Sequence, residues 1–184
     1  MSYIIIGIVT AIGFIVLLSA CKNKSTISAE NPFEGLRNLA ISTTPEQLQL
    51  DLPMDETIVF GVVMDWGIDR GAIATTVAYQ TGDASLYLSS GGGIIGGGQH
   101  QNVNDAAKQF VRLSQTFLIN ASQTQTTPLP ETDSVKFYFL TNKGIYVSQE
   151  QVKNFEDHSS PWLDLFEEGN KVLTELQLTT EHRP

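Results

Sequence analysis

The feature that most constrains this chain is an uncharged apolar segment at its N-terminus. No charged residue precedes Lys22, and the run IIIGIVTAIGFIVLL contains eleven Ile, Leu, Val or Phe residues. Residues of these types favour insertion into a bilayer, here by roughly 3 to 7 kcal/mol in total. As a helix, residues 3–20 would extend roughly 27 Å, close to the thickness of the hydrocarbon core. We therefore predict a transmembrane helix, with an anchor over residues 1–21 that contacts the lipid bilayer through residues 3–20.

Two arrangements at the membrane agree with this segment. In the first, a single-pass helix is flanked on its C-terminal side by Lys22 and Lys24, and the positive-inside rule then places the following domain in the cytoplasm. In the second, the sequence Leu-Ser-Ala-Cys at residues 18–21 resembles the lipobox of bacterial lipoproteins, which implies lipidation of Cys21 and export of the domain. The length of the apolar run and the missing positive residues before it favour the single-pass helix.

The rest of the chain has the length and charge of one acidic domain on a short tether. Residues 22–32 are polar and lack apolar periodicity, which predicts a flexible tether, and residues 33–184 match one compact domain. The chain has 20 acidic and 11 basic residues and a net charge of −9, all of it C-terminal to the anchor. This charge repels phosphate backbones, so we expect no nucleic acid partner. Cys21 is the single cysteine, and we predict neither a metal site nor a cofactor in the domain.

The first half of the domain predicts a short helix followed by three strands. The sequence TPEQ at residues 44–47 has a capping pattern for a helix that ends before Pro53. Residues 57–66, 72–79 and 84–89 are rich in β-branched and aromatic residues, and turn-forming residues separate them. These segments predict an antiparallel three-stranded meander.

The second half predicts a helix, a hairpin and a final helix. Asn102 or Asn104 can cap a helix that continues to about Asn120. Residues 135–141 and 145–148 predict two strands joined by a turn. Ser160 and Pro161 then open a helix whose apolar stripe consists of Trp162, Leu165, Phe166, Val172, Leu173 and Leu176. The whole order predicts an α+β domain with a mainly antiparallel five-stranded sheet and helices packed on one face.

The most unusual motif is the glycine-rich stretch SSGGGIIGGGQH at residues 89–100. It formally contains G-x-G-x-x-G, but the predicted helix begins too late for a dinucleotide site and no acid occurs in residues 106–130. Two interpretations remain, namely a tight crossing in which glycines permit close backbone packing, and a backbone-lined binding site. The residues of the candidate ligand-binding site are Ser90, Gly91, Gly92, Gly93, Gly96, Gly97, Gly98 and His100.

Residues with catalytic chemistry do not form a familiar pattern elsewhere. His100 lies near a predicted helix start, where an imidazole can bind ligands or transfer protons, but a surface or capping role is favoured because no H-E-x-x-H spacing exists. Asp65 and Asp69 are interpreted as turn formers, because a calcium loop would require glycine where Arg70 stands. No G-x-S-x-G elbow is present, so we assign no catalytic residue.

Two functions follow from these observations. The first is a membrane-anchored, non-enzymatic interaction or adaptor domain with a membrane-proximal protein partner, because tethering raises the effective concentration for such a partner. The alternative is a small-ligand-binding or hydrolytic domain that uses residues 91–98 as a cradle and His100 as its polar group.

Overall fold

A computed structural model describes residues 32–181 of the chain. These residues form an α+β domain with an antiparallel sheet and helices, as predicted from the sequence. Within this part of the chain no helix is both long and apolar enough to cross a membrane. The predicted anchor at residues 1–21 and the tether up to residue 31 lie outside the described residues.

Within residues 32–181 the sheet has seven strands, in the spatial order β4-β3-β2-β1-β6-β7-β5. Every pair of neighbours is antiparallel. The strands are β1 (Val59–Gly67), β2 (Ile73–Tyr79), β3 (Ala84–Leu88), β4 (Gly93–Ile94), β5 (Ser122–Thr124), β6 (Ser134–Thr141) and β7 (Gly144–Gln151). The helices are α1 (Pro32–Ile41), α2 (Gln101–Phe117), α3 (Val152–Glu156) and α4 (Leu163–Glu181).

The predicted meander and hairpin are confirmed, but the predicted number of five strands is wrong. Strands β1 to β3 form the meander, and β6 and β7 form the hairpin. The two additional strands, β4 and β5, pair with β3 and β7 at the two edges of the sheet. They have two and three residues, which is too short for an alternating pattern to be recognised in a sequence.

The first predicted helix is misplaced. The TPEQ segment makes the expected reciprocal hydrogen bonds, in which the Thr44 amide donates to Gln47 Oε1 and the Gln47 amide donates to Thr44 Oγ1. The chain nevertheless forms only turns at residues 45–49, and Gln49 adopts a positive φ of 57°. The first helix is instead α1, which begins at Pro32, a residue that the sequence analysis assigned to the tether.

Helices cover both faces of the sheet, so the prediction of helices on one face is wrong. Val62 and Met64 of β1 belong to a core under α2 and α4, which we call the two-helix face. Val63 belongs to a second core on the opposite side, which we call the α1 face because Phe33 and Ile41 of α1 pack there. Because successive residues of a strand point to opposite faces, an uninterrupted apolar strand such as β1 requires cover on both sides.

A buried polar network fixes α1 to the sheet. Nε and Nη2 of Arg37 donate to Asp65 Oδ2 at 2.9 and 2.6 Å, and Thr75 Oγ1 donates to Asp65 Oδ1 at 2.5 Å. The guanidinium carbon lies 5.4 Å from the centre of the Tyr138 ring. Asp65 is therefore not a turn former, as the sequence suggested, but the buried acceptor that holds α1.

The same network sets the direction of α1. Arg37 contacts Asp65, whereas three residues later the Ala40 carbonyl accepts a hydrogen bond from the Tyr79 hydroxyl at 2.9 Å. Tyr79 pairs with Gly61 near the start of β1, and Asp65 lies near the end of that strand. The N-terminus of α1 thus points toward the end of the sheet at which β1 finishes.

Candidate functional site

The structure packs three residues of the glycine stretch tightly. A methyl group on Gly93 would collide with the Leu86 carbonyl oxygen of β3, and one on Gly97 would collide with the Leu176 side chain of α4. A methyl group on Gly98 would lie 2.8 Å from the Asp83 Cα atom. These three glycines therefore serve close packing, which is the first of the two interpretations given for this motif.

The remaining glycines of the stretch are exposed. Gly91 and Gly92 have φ values of 101° and 85°, are exposed, and have open space where a side chain would lie. Ser90 is exposed beside them, and Gly96 has a φ of 72° with similar open space. The seven candidate residues before His100 thus divide between exposed positions and a packed crossing.

His100 lies at the start of α2 and borders a cavity. It is exposed and occupies the N-cap position without a side-chain capping bond, so the predicted caps Asn102 and Asn104 fall inside the helix. A cavity of about 470 Å³ lies beside it, between the start of α2 and the end of α4. The residues that line it are His100, Gln101, Asn102, Val103, Glu175, Leu178 and Thr179. None of the candidate glycines belongs to this lining.

A second cavity, at the end of β1 on the two-helix face, has a different character. It measures about 380 Å³, and we call it the aromatic pocket. Its apolar lining consists of Trp66, Val152, Phe155, Leu163 and Phe166. Its polar lining consists of Glu156, His158, Glu167 and Asn170.

Three rings define the walls of the aromatic pocket. The Trp66 and Phe166 rings are 5.4 Å apart and inclined by 78°, an edge-to-face arrangement. The Phe155 and Phe166 rings stack at 4.2 Å with an angle of 16°. Phe155 is buried, whereas Trp66 and Phe166 keep part of their surface exposed. Half-exposed rings in a concave site are typical of surfaces that bind ligands or other proteins.

Local sequence explains why these rings meet. Trp66 ends the apolar run of β1, while Phe155 and Phe166 come from α3 and α4, which flank a tight connection. Glu150 holds that connection, because its Oε1 accepts from Asn154 Nδ2 at 2.6 Å and its Oε2 accepts from Ser160 Oγ at 3.2 Å. These side-chain bonds link β7 to α3 and to the connection that leads into α4.

The rim of the aromatic pocket is acidic. Glu156 and Glu167 are exposed, as is His158. Within residues 32–181 the ion pairs join Arg37 to Asp65 and Arg70 to Asp69, so neither rim carboxylate is neutralised there. The site combines an apolar interior with two carboxylates that lack a cationic partner among the described residues.

Sequence reasoning did not identify this pocket. Trp66 and Phe166 were each predicted as members of apolar segments, and both predictions are consistent with their contacts. The missing signal was spatial, because the two residues are far apart in the chain and only the packing of α4 against β1 brings them together. A tryptophan at the last position of a strand beside a turn was the one available hint.

Other kinds of site have less support. Within the described range no three His, Cys, Asp or Glu side chains lie close enough together to hold a metal ion. Comparison of the chain with models of known protein families, with curated proteins and with solved structures finds no significant match.

Proposed function

We propose that this chain is a membrane-anchored, non-enzymatic interaction domain that binds a membrane-proximal protein through the aromatic pocket. The observation that carries this proposal is the pocket itself, in which Trp66 and Phe166 are half-exposed above a buried Phe155. Concave sites lined mainly by apolar and aromatic side chains with a few polar groups are typical binding sites, and aromatic residues are enriched at the centres of protein interfaces. The predicted anchor supports the choice of partner, because tethering favours a partner in the same membrane.

A photocrosslinking experiment tests the pocket. Asn170 lines the pocket and is half-exposed, so p-benzoylphenylalanine in its place in the full chain would face a bound partner. We expect one discrete adduct in native membranes, identified by mass spectrometry as a membrane protein and lost when Phe166→Asp is introduced. The control position is Met54, which is 88% exposed and lies outside the pocket. Equal adducts from both positions would contradict the proposal.

A second experiment tests the anchor. Removal of residues 1–24 should release a soluble, protease-resistant domain from the membrane fraction, because α1 and the two cores lie within residues 32–181. Cys21→Ala should leave the chain membrane-bound, since a spanning helix needs no lipid to stay inserted. Loss of fatty-acid labelling in Cys21→Ala would support the exported lipoprotein instead. Alkaline phosphatase and fluorescent protein fusions at the C-terminus would report the side of the membrane.

One observation favours the alternative function, a small-ligand-binding or hydrolytic domain. The 470 Å³ cavity beside His100 receives the start of α2, where backbone amides and an imidazole can meet a small polar ligand. Under this proposal His100→Ala would abolish binding of small carboxylates and phosphates measured by thermal shift, while Gln109→Ala, on α2 but outside the lining of this cavity, would not. If these ligands do not change the melting temperature of the unmodified chain or of Gln109→Ala, that result would count against this alternative.

A further inference from the structure

We propose that the aromatic pocket receives a single Lys or Arg side chain from a basic juxtamembrane segment of the partner. This inference rests on the proposed function and specifies its ligand. Three properties of the pocket support it, namely its rings, its carboxylates and its place in the domain.

The rings suit the stem and the head of a basic side chain. Trp66 and Phe166 line the cavity from nearly perpendicular planes, and a cation within about 6 Å of an aromatic face is attracted by the ring electrons. Val152 and Leu163 add aliphatic surface to the lining. Lys and Arg bury their apolar stems against such surface while keeping the charge at the mouth.

The carboxylates select a cation over an anion or a neutral group. Glu156 and Glu167 border the pocket, are exposed, and have no ion-pair partner within residues 32–181. A basic side chain would meet two unpaired charges of opposite sign at the mouth. A phosphate or a carboxylate would be repelled by them and by the acidic surface of the domain.

The place of the pocket points to a segment close to the membrane. Trp66 lies at the end of β1, and the N-terminus of α1 points toward that same end of the sheet. Residues 22–31, which precede α1, can extend at most about 36 Å from the predicted anchor. An anchor of this kind would keep the domain near the membrane surface, where Lys and Arg flank the membrane helices of other proteins.

Peptide binding to the full chain in detergent micelles tests the inference. The probe is fluorescein-labelled GSLRLSGG amide, and its matched control carries citrulline, the uncharged analogue of arginine. We expect anisotropy titrations to show binding of the arginine peptide and at least about tenfold weaker binding of the citrulline peptide. Equal affinity for the two peptides would overturn the inference.

Two double variants distinguish the effect of the two rim carboxylates from the effect of the domain's overall negative charge. Glu156→Gln with Glu167→Gln should weaken the arginine peptide about fivefold or more and leave the citrulline peptide unchanged. Asp51→Asn with Asp55→Asn removes the same charge from exposed positions outside the pocket and should change affinity less than about twofold. Equal losses in both variants would overturn the inference, because they would show attraction to the whole domain. Circular dichroism would confirm that each variant is folded.

The chain's own tether is the competing occupant. If Lys22 or Lys24 filled the pocket, Lys22→Ala with Lys24→Ala would strengthen binding of the arginine peptide several-fold, and that result would overturn the assignment to a partner. Unchanged affinity of the Lys22→Ala, Lys24→Ala variant for the arginine peptide supports the assignment to a partner. An adduct at Asn170 without preference for arginine would leave the proposed function standing and overturn only this inference. Preference for arginine without an adduct would instead overturn the proposed function.

Discussion

Arg37 of α1 and Asp65 of β1 form a buried ion pair whose side chains are 4% and 0% exposed. The pair joins the first described helix to the centre of the sheet, and Thr75 and Tyr138 complete its surroundings. Removing one partner of a buried pair leaves an uncompensated charge, whereas removing both avoids that penalty. Mutating this pair therefore tests whether α1 unfolds cooperatively with the rest of the domain.

Arg37→Met alone should lower the free energy of unfolding by about 3 to 5 kcal/mol, because it leaves Asp65 charged and buried. Adding Asp65→Asn should recover part of that loss, since asparagine keeps an acceptor for Thr75 and carries no charge. Urea denaturation of both single variants and the double variant measures the coupling. Strictly additive losses would mean that the two residues act independently.

Two buried tyrosines should make the domain sensitive to high pH. Burial raises the pKa of Tyr138 and of Tyr79 from 10.0 to about 12, and the nearby Asp65 charge adds to the effect at Tyr138. Below pH 10 both states keep the protons, whereas between about 10 and 12 the unfolded chain releases them first. Stability should therefore fall with rising pH in that interval.

The tyrosine variants identify the source of this effect. In Tyr138→Phe and Tyr79→Phe, urea midpoints should fall less steeply between pH 9.5 and 11.5 than in the unmodified chain. Each variant should also be less stable at pH 7, by about 1 kcal/mol, because a hydroxyl bond to the Pro128 or Ala40 carbonyl is lost. An unchanged slope in both variants would refute the linkage.

The glycine stretch should respond to alanine in a definite order. Gly93→Ala should be most destabilising, because the new methyl group meets the Leu86 carbonyl oxygen. Gly96→Ala should cost on the order of 1 to 2 kcal/mol, since its φ of 72° is strained for alanine although space is available. His100→Ala, at an exposed site, should stay within about 0.5 kcal/mol. Melting curves of the three variants test this order of stability losses. A large loss of stability in His100→Ala alone would contradict it.

Asn142 should control the loop before β1. Its Nδ2 donates to the Pro53 and Glu56 carbonyls at 2.8 and 3.0 Å, and its Oδ1 accepts from the Ile58 amide at 2.9 Å. Asn142→Ala should speed amide exchange in residues 53–58 and proteolytic cleavage near Met54, with little change in the exchange of β1. The same exchange pattern in both proteins would show that the loop is held by other contacts.

The regular part of the fold was predictable from sequence because its elements are long and periodic. Strands β1, β2, β3 and β6 and helices α2 and α4 each carry a pattern of buried residues that extends over several positions. The TPEQ segment shows the limit of local signals. Its capping bonds form, but a turn satisfies them as well as a helix does.

The placement of α1 and the aromatic pocket could not be predicted from sequence, because both depend on tertiary contacts between residues far apart in the chain. α1 packs on the sheet partly through Arg37, a charged residue of a type that is usually exposed to solvent. The aromatic pocket joins Trp66 to residues about a hundred positions later, and only tertiary packing creates its concave shape. The glycine stretch could be identified from the sequence as an unusual motif. Only the structure shows which of its glycines are exposed and which pack closely against neighbouring atoms.

The short outer strands have a consequence for how copies of the chain behave together. β4 and β5 are the outermost strands and have two and three residues, so each of these two strands offers another molecule little backbone to pair with. An anchored domain is confined to a plane, where its neighbours meet it often and in similar orientations. If the chain is anchored as proposed, these short outermost strands would let a dense population on one membrane avoid strand-to-strand pairing into fibres.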